Sequence, residues 1–235
     1  MQFKESGKLK AFTLSFDDGV SQDIRMTELL NYYGLKATFF LCSERLGRHG
    51  ISKQGGRRSA RYRIAPEHVS MVYEGHEVAS HTLDHVVIPY QEEAEILRQV
   101  EEDRKNLQEL VGYEIVGFAF PGSSPNHDEK SVRFIEKHTG IQYCRVAGSM
   151  KDNFDLPDDL FKINHNGGIR RWENNLLLAQ RFLEMETDKP QVFHIMGHSY
   201  EMEFDSENWK RAEAFFKFMS AHSDVFYGTC REVYL

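Results

Sequence analysis

Cysteine is scarce in this chain. Its 235 residues hold three, Cys42, Cys144 and Cys230. They are odd in number and far apart, so they form neither a disulfide framework nor a thiolate zinc knuckle, and a reducing compartment is the simplest reading. Long apolar runs are missing too. None approaches the ~18 residues of a membrane helix, and Met1–Lys10 has no apolar stretch suited to a signal peptide. The expectation is a cytoplasmic protein that does not span a membrane. Positive charge is not in excess: the net charge is −7, a poor match to nucleic acid or an anionic membrane. Basic residues gather once, at Arg57, Arg58, Arg61 and Arg63. Such a run is ordinarily a solvated loop, the alternative being a substrate rim. No repeat, low-complexity tract or Pro/Ser linker divides the chain. With 40% hydrophobic and 28% charged residues, residues 1–235 read as a single domain, of a size that one α/β barrel can fill.

Short apolar strands alternate with longer amphipathic stretches. Lys10–Phe16, Lys36–Leu41, His76–Ser80, Val116–Phe120, Gln142–Val146, Phe161–Asn164, Gln191–Ile195 and Val225–Gly228 read as strands, most of them rich in Phe, Val, Ile or Thr. Gln91–Val111 and Glu207–Ala221 carry apolar stripes at helical spacing, and Pro66 suits the first turn of a helix to about Tyr73. Alternation of this kind implies an α/β fold with a mainly parallel sheet. About seven strands suggest a barrel, complete or not; an open doubly wound sheet is the rival. Ser43–Arg63, with Gly47, Gly50, Gly55 and Gly56, lacks periodicity and reads as a long surface loop that borders the site.

In parallel α/β folds, chemistry sits at the C-terminal ends of strands. The first strand ends in Ser15-Phe16-Asp17-Asp18-Gly19. Adjacent carboxylates on a regular strand point to opposite faces, but Gly19 permits a turn that brings both to one pocket. A solvated turn is the bland alternative. The third strand ends in His81-Thr82-Leu83-Asp84-His85. A helical turn there would set both imidazoles on one face; two surface histidines could also fall so by chance. Together, one carboxylate and two imidazoles make a three-ligand divalent site with room for water and substrate. The second carboxylate is then a candidate general base. Val192–Ser199 holds His194, a candidate core residue, and His198, placed to protonate a leaving group. Pro121-Gly122 is either a plain turn or a source of backbone N–H groups for an oxyanion.

These segments resemble the polysaccharide deacetylase family, carbohydrate esterase family 4, built on the NodB-type homology domain. Ser15–Gly19 is similar to its TFDDG motif and His81–His85 to its H-(S/T)-x-x-H motif. Ile195–His198 resembles the motif that ends in the catalytic histidine. The resemblance implies a distorted, incomplete (β/α) barrel that removes N- or O-linked acetyl groups from a carbohydrate or a related small amide or ester. It implies Asp17 as general base and His198 as general acid. Asp18, His81 and His85 would hold one divalent metal, usually zinc, with cobalt, nickel or manganese as alternatives. The Gly122 N–H, with the metal, would steady the oxyanion.

Two departures stand out. Ala119 lies near the position of the family arginine that orients the base, and Arg145 is the candidate replacement, against an ordinary helix-dipole or surface role. Asn164-His165-Asn166-Gly167-Gly168, with Trp172 further on, offers no clear aspartate to support His198; His165 or Glu201 could serve instead. A catalytically inactive carbohydrate-binding barrel and a non-haem iron oxygenase, which also uses two histidines and a carboxylate, are the competing readings.

Overall fold

The computed structural model describes residues 2–54, 56–148 and 150–235; Gly55 lies outside them. Strand β1 (Lys10–Asp17) is buried from Ala11 onward. Phe12, Leu14 and Phe16 enter the large apolar core, and the alternate residues take the opposite face. There Ser15 Oγ is hydrogen bonded to His194 Nε2 at 2.9 Å. The order then runs α1 (Gln22–Tyr32), β2 (Ala37–Leu41), β3 (His49–Gln54), β4 (Arg57–Tyr62), α2 (Val69–Val72), β5 (Glu77–Ser80) and α3 (Glu93–Val111). It continues with β6 (Gly117–Ala119), α4 (Glu129–His138), β7 (Tyr143–Arg145), β8 (Gly167–Gly168), α5 (Trp172–Glu184) and β9 (Gln191–Gly197). It ends with α6 (Asn208–Met219), β10 (Val225–Tyr227) and α7 (Cys230–Tyr234).

The main sheet has the order β7-β6-β5-β2-β1-β9-β8, and all neighbours are parallel. Strand β10 pairs with Lys10–Phe12 of β1, while β2 pairs with Leu14–Asp17, so β1 holds both. This is a curled, incomplete (β/α) barrel. Between β7 and β8 the wall is irregular chain: Ile163 forms a parallel bridge to Arg145, and Asn166 N donates to His194 O at 2.8 Å. The expected strand at Phe161–Asn164 is therefore a 3-10 turn, Leu160–Lys162, followed by that single bridge. Its backbone reaches the β7 edge at one residue only, too little for a ladder.

The interior face is polar near its base. Glu77 accepts from Thr38 Oγ1, Tyr143 Oη and the Arg231 N–H of α7. The largest apolar cluster lies outside the sheet, where Phe12, Phe16 and Phe39 meet Met26, Leu30 and Phe216 of the helices. No helix among the described residues is long and apolar enough to cross a membrane.

The segment Ser43–Arg63 is not the long loop its composition suggests. It forms a 3-10 turn, Ser43–Arg45, then an antiparallel hairpin of β3 with β4. The hairpin is polar because it stands outside the core, so the apolar alternation that marks a strand is missing. Backbone and side-chain bonds tie it to the chain just after Asp18: Ser21 N to Tyr62 O at 2.7 Å, Ile64 N to Gly19 O at 2.9 Å, and Gln22 Nε2 to Ala60 O at 3.1 Å.

Candidate active site

The site is assembled one residue beyond the strand ends. Asp17 closes β1 with its side chain on the interior face. Asp18 N still donates to Phe40 O at 3.0 Å, but the backbone of Asp18 is left-handed at φ 84, followed by Gly19 at φ 63. Two left-handed residues in succession undo the strand alternation, and both carboxylates stay buried at the same rim. At Gly19 a Cβ would meet Leu41 Cδ2 at 2.7 Å, so close approach as well as conformation favours glycine.

His81 and His85 do converge, with ring centroids 4.9 Å apart, but not through a helical turn. Thr82 (φ 66) and His85 (φ 56) are left-handed, and Val86 N donates to Thr82 Oγ1 at 3.1 Å. The loop curls back on itself instead of winding forward. His81 Nδ1 lies 2.7 Å from Ala119 O. A carbonyl only accepts, so Nδ1 carries the hydrogen and the Nε2 lone pair faces the site. Burial, partly opposed by Asp17, holds His81 down to about 4, in the neutral form that a metal ligand requires. Asp18, His81 and His85 each offer a ligand atom, and these atoms lie within 4.8 Å of one another. Burial pushes Asp18 upward, yet the surrounding histidines and Arg63 hold it well below the usual carboxylate range. An ionised carboxylate with two neutral imidazoles fits a divalent cation such as zinc.

Asp17 has a different partner. Arg145 Nη2 donates to Oδ1 at 2.5 Å and to Oδ2 at 2.6 Å, and both residues are buried. Against the upward push of burial, this guanidinium and then His81 lower the Asp17 pKa. Asp17 Oδ2 also lies 4.0 Å from His81 Nε2, so the carboxylate is beside the ligand set without belonging to it.

His198 follows β9 and donates from Nδ1 to Glu201 Oε1 at 3.2 Å. Glu201 is held in turn by Arg170 Nε at 3.0 Å. Burial lowers the His198 pKa, but Glu201, Asp17 and Asp18 outweigh it and raise the imidazole to about 9. His165 has Arg145 and Asp17 as its electrostatic neighbours rather than His198, and Trp172 packs on Phe215 and Phe216 in the helical layer. His194 is a core residue, bonded to Ser15 and Tyr234. Gly122 is left-handed at φ 95, three residues past the Ala119 carbonyl that holds His81.

Four residues join the site without a signal in the motifs. Asp103 of α3 accepts from Ser43 N, Ser80 Oγ and His81 N at 2.7, 2.6 and 3.2 Å, which fixes the start of the histidine loop. Arg61 in β4 and Arg63 just after it reach Asp18 at 3.1 and 3.4 Å. Asp23 accepts from Val20 N and Tyr73 Oη, and from Ser199 Oγ, so it joins the Asp18 turn to the end of β9. The stripe of α3 predicts the helix but gives Asp103 no role. The basic run is legible in the sequence; its target is not.

The polysaccharide deacetylase family model matches residues 4–144. Over 153 residues the chain is 30% identical to YheN of Bacillus subtilis (strain 168), a protein assigned to the polysaccharide deacetylases; the match covers 64% of this chain and 49% of that protein. The chain thus spans about half the length of this curated relative. A Mycobacterium smegmatis structure assigned likewise superposes with TM-score 0.64 at 14% identity, covering 97% of this chain and 89% of that one. A family 4 carbohydrate esterase pseudoenzyme from Bacillus anthracis gives TM-score 0.58 at 15% identity, over 98% of this chain and 66% of the other. At such identities these structures speak for the incomplete barrel only. The sequence match across the strands that carry both carboxylates and both histidines places this chain in the polysaccharide deacetylase family.

Proposed function

We propose that this chain is a metal-dependent hydrolase that removes N- or O-linked acetyl groups from a carbohydrate. One observation carries the reading: of two adjacent carboxylates, Asp18 clusters with His81 and His85, their ligand atoms within 4.8 Å of one another, while Asp17 stands outside that group, paired with Arg145 at 2.5 Å. Asp18, His81 and His85 would hold the ion, zinc by preference and cobalt, nickel or manganese as substitutes. When bound, it supplies Lewis acidity that polarises a carbonyl and acidifies water.

The remaining roles belong to side chains of this protein. Arg145 keeps Asp17 ionised and fixes its direction, so that Asp17 takes the proton of the attacking water. Charge then develops on the former carbonyl oxygen, for which the Gly122 N–H is the assigned donor. His198, held in its charged form by Glu201 and the two aspartates, gives its proton to the departing amine or alcohol. An unprotonated base beside a protonated acid is the pairing that such hydrolysis needs.

Acetate release from acetylated chito-oligomers, acetylxylan and an aryl acetate, with and without chelator, tests the reading. Asp17→Asn should lower turnover about 10²–10⁴-fold while bound metal, read by elemental analysis, stays near the wild-type content. His81→Ala should lose metal and turnover together. Chelator-insensitive activity, or full turnover by Asp17→Asn, would remove the metal or the base from the mechanism. Sugar binding without acetate release from any substrate would favour an inactive carbohydrate-binding barrel.

A further inference from the structure

Arg61 and Arg63 bring more positive charge to this rim than Asp18 requires. Residues 61 and 63 share one side of an extended segment, and Tyr62 between them is turned outward, 53% exposed. Each guanidinium places one nitrogen on Asp18: Arg61 Nη1 on Oδ2 at 3.1 Å and Arg63 Nη2 on Oδ1 at 3.4 Å. The Nε–H of both is buried without a hydrogen-bond partner. Arg63 is only 8% exposed, and an unmatched donor at such a position is costly unless a ligand supplies the acceptor. Arg61 is the more open of the two. Its guanidinium lies 5.3 Å over the Tyr200 ring, which sits 4.8 Å from the His198 ring. Arg61 therefore lines the same rim as Asp18 and the candidate acid.

The charges point the same way. Asp17 is already matched by Arg145, and Asp18 by two arginines. A divalent ion held by Asp18, His81 and His85 would add to that positive balance. A neutral sugar leaves it uncompensated at a partly buried rim, whereas an anionic one offsets it.

We infer, on the hydrolase reading proposed above, that the substrate carries a carboxylate near its acyl group and seats it on Arg61 and Arg63. The planar guanidinium fork matches a carboxylate in two-point contact.

N-acetylmuramic acid and N-acetylglucosamine differ by one carboxylate-bearing ether arm, and N-acetylglucosamine 6-phosphate offers a phosphate instead. Calorimetric titration of the metal-loaded protein with the three sugars reads the preference directly. The carboxylate sugar should bind at least about tenfold more tightly than either of the others, on the scale of one charge-assisted contact. Arg61→Gln and Arg63→Gln should reduce that ratio to below about threefold, and Arg61→Lys should retain part of it. Because Arg63 is buried, Arg61→Gln decides the matter if Arg63→Gln does not fold. Equal affinity for the acid and the neutral sugar overturns the inference. So does a preference that persists in the glutamine variants, or tighter binding of the phosphate. Acetate release measured on the same sugars separates the two readings. Release without a preference leaves the hydrolase and discards the carboxylate site; a preference without release does the reverse.

Discussion

Among the described residues, three that are not glycine have left-handed backbone: Asp18, Thr82 and His85. All three lie in the two motifs that build the site. Such conformations cost about 1–3 kcal/mol each and persist where surrounding structure imposes them. Here the surroundings are the Phe40 carbonyl at Asp18 and the Thr82 hydroxyl at Val86. At this scale Glu201 is the residue to test. It holds His198 by hydrogen bond and charge, and the imidazole stands near 9. An acid must be protonated to act, so activity should fall as pH rises through that value. Glu201→Gln removes the charge and should move the alkaline limb of kcat/KM toward the ordinary histidine value of about 6.5. A limb that stays in place would show that His198 is not the group titrating there. The motif residues of the candidate site, Asp17, Asp18, His81 and His85, can be picked out of the sequence because their types and spacing follow from chemistry. The route by which they meet cannot be: His81 and His85 are four apart, as on a helix, yet two left-handed residues bring them together. Arg145 is harder still, because nothing in its own neighbourhood names Asp17 as its partner.

Among the elements, β1, β2, β5, β6, β7, β9 and β10 fall within one or two residues of the expected strands, since buried parallel strands are apolar runs. The exceptions share a cause. The hairpin of β3 and β4 is stabilised by ties to residues 19–22 rather than by burial, and β8 is two glycines with no side-chain pattern to read. Close packing accounts for one of those glycines. A Cβ at Gly167 would stand 2.3 Å from Asn175 Oδ1, and Asn175 Nδ2 donates to Gly168 O at 2.9 Å. Gly167→Ala should therefore destabilise the protein by about 1–3 kcal/mol, as overpacked sites do, with thermal unfolding several degrees lower. An unchanged midpoint would mean that Asn175 and α5 yield without cost.

For the molecule as a whole, buried histidines make stability depend on pH. His76 accepts from Ala37 N through Nδ1 at 3.2 Å, and burial lowers it to about 4. Its folded pKa is below the unfolded one, so its contribution is present above about pH 6.5 and is lost as pH falls toward 4. The full swing is up to about 3 kcal/mol. Asp23 and Asp103, raised by burial to about 7, act in the opposite direction over part of that range. The useful measurement is thus a difference. His76→Asn, compared with wild type by denaturant unfolding at pH 7 and pH 5, should lose less stability on acidification. Parallel pH dependences would discard His76 as the source.

The double pairing of β1 has a consequence for how the chain matures. Lys10–Phe12 are hydrogen bonded to Val225–Tyr227, so the first strand of this barrel to be made waits for its last. Every segment between them must be made before that ladder can close, and such long-range closure slows folding. The strand that leads into both aspartates therefore spends synthesis with one edge unfinished, and a nascent chain stalled before Val225 should be open to proteases at β1 in a way the finished protein is not.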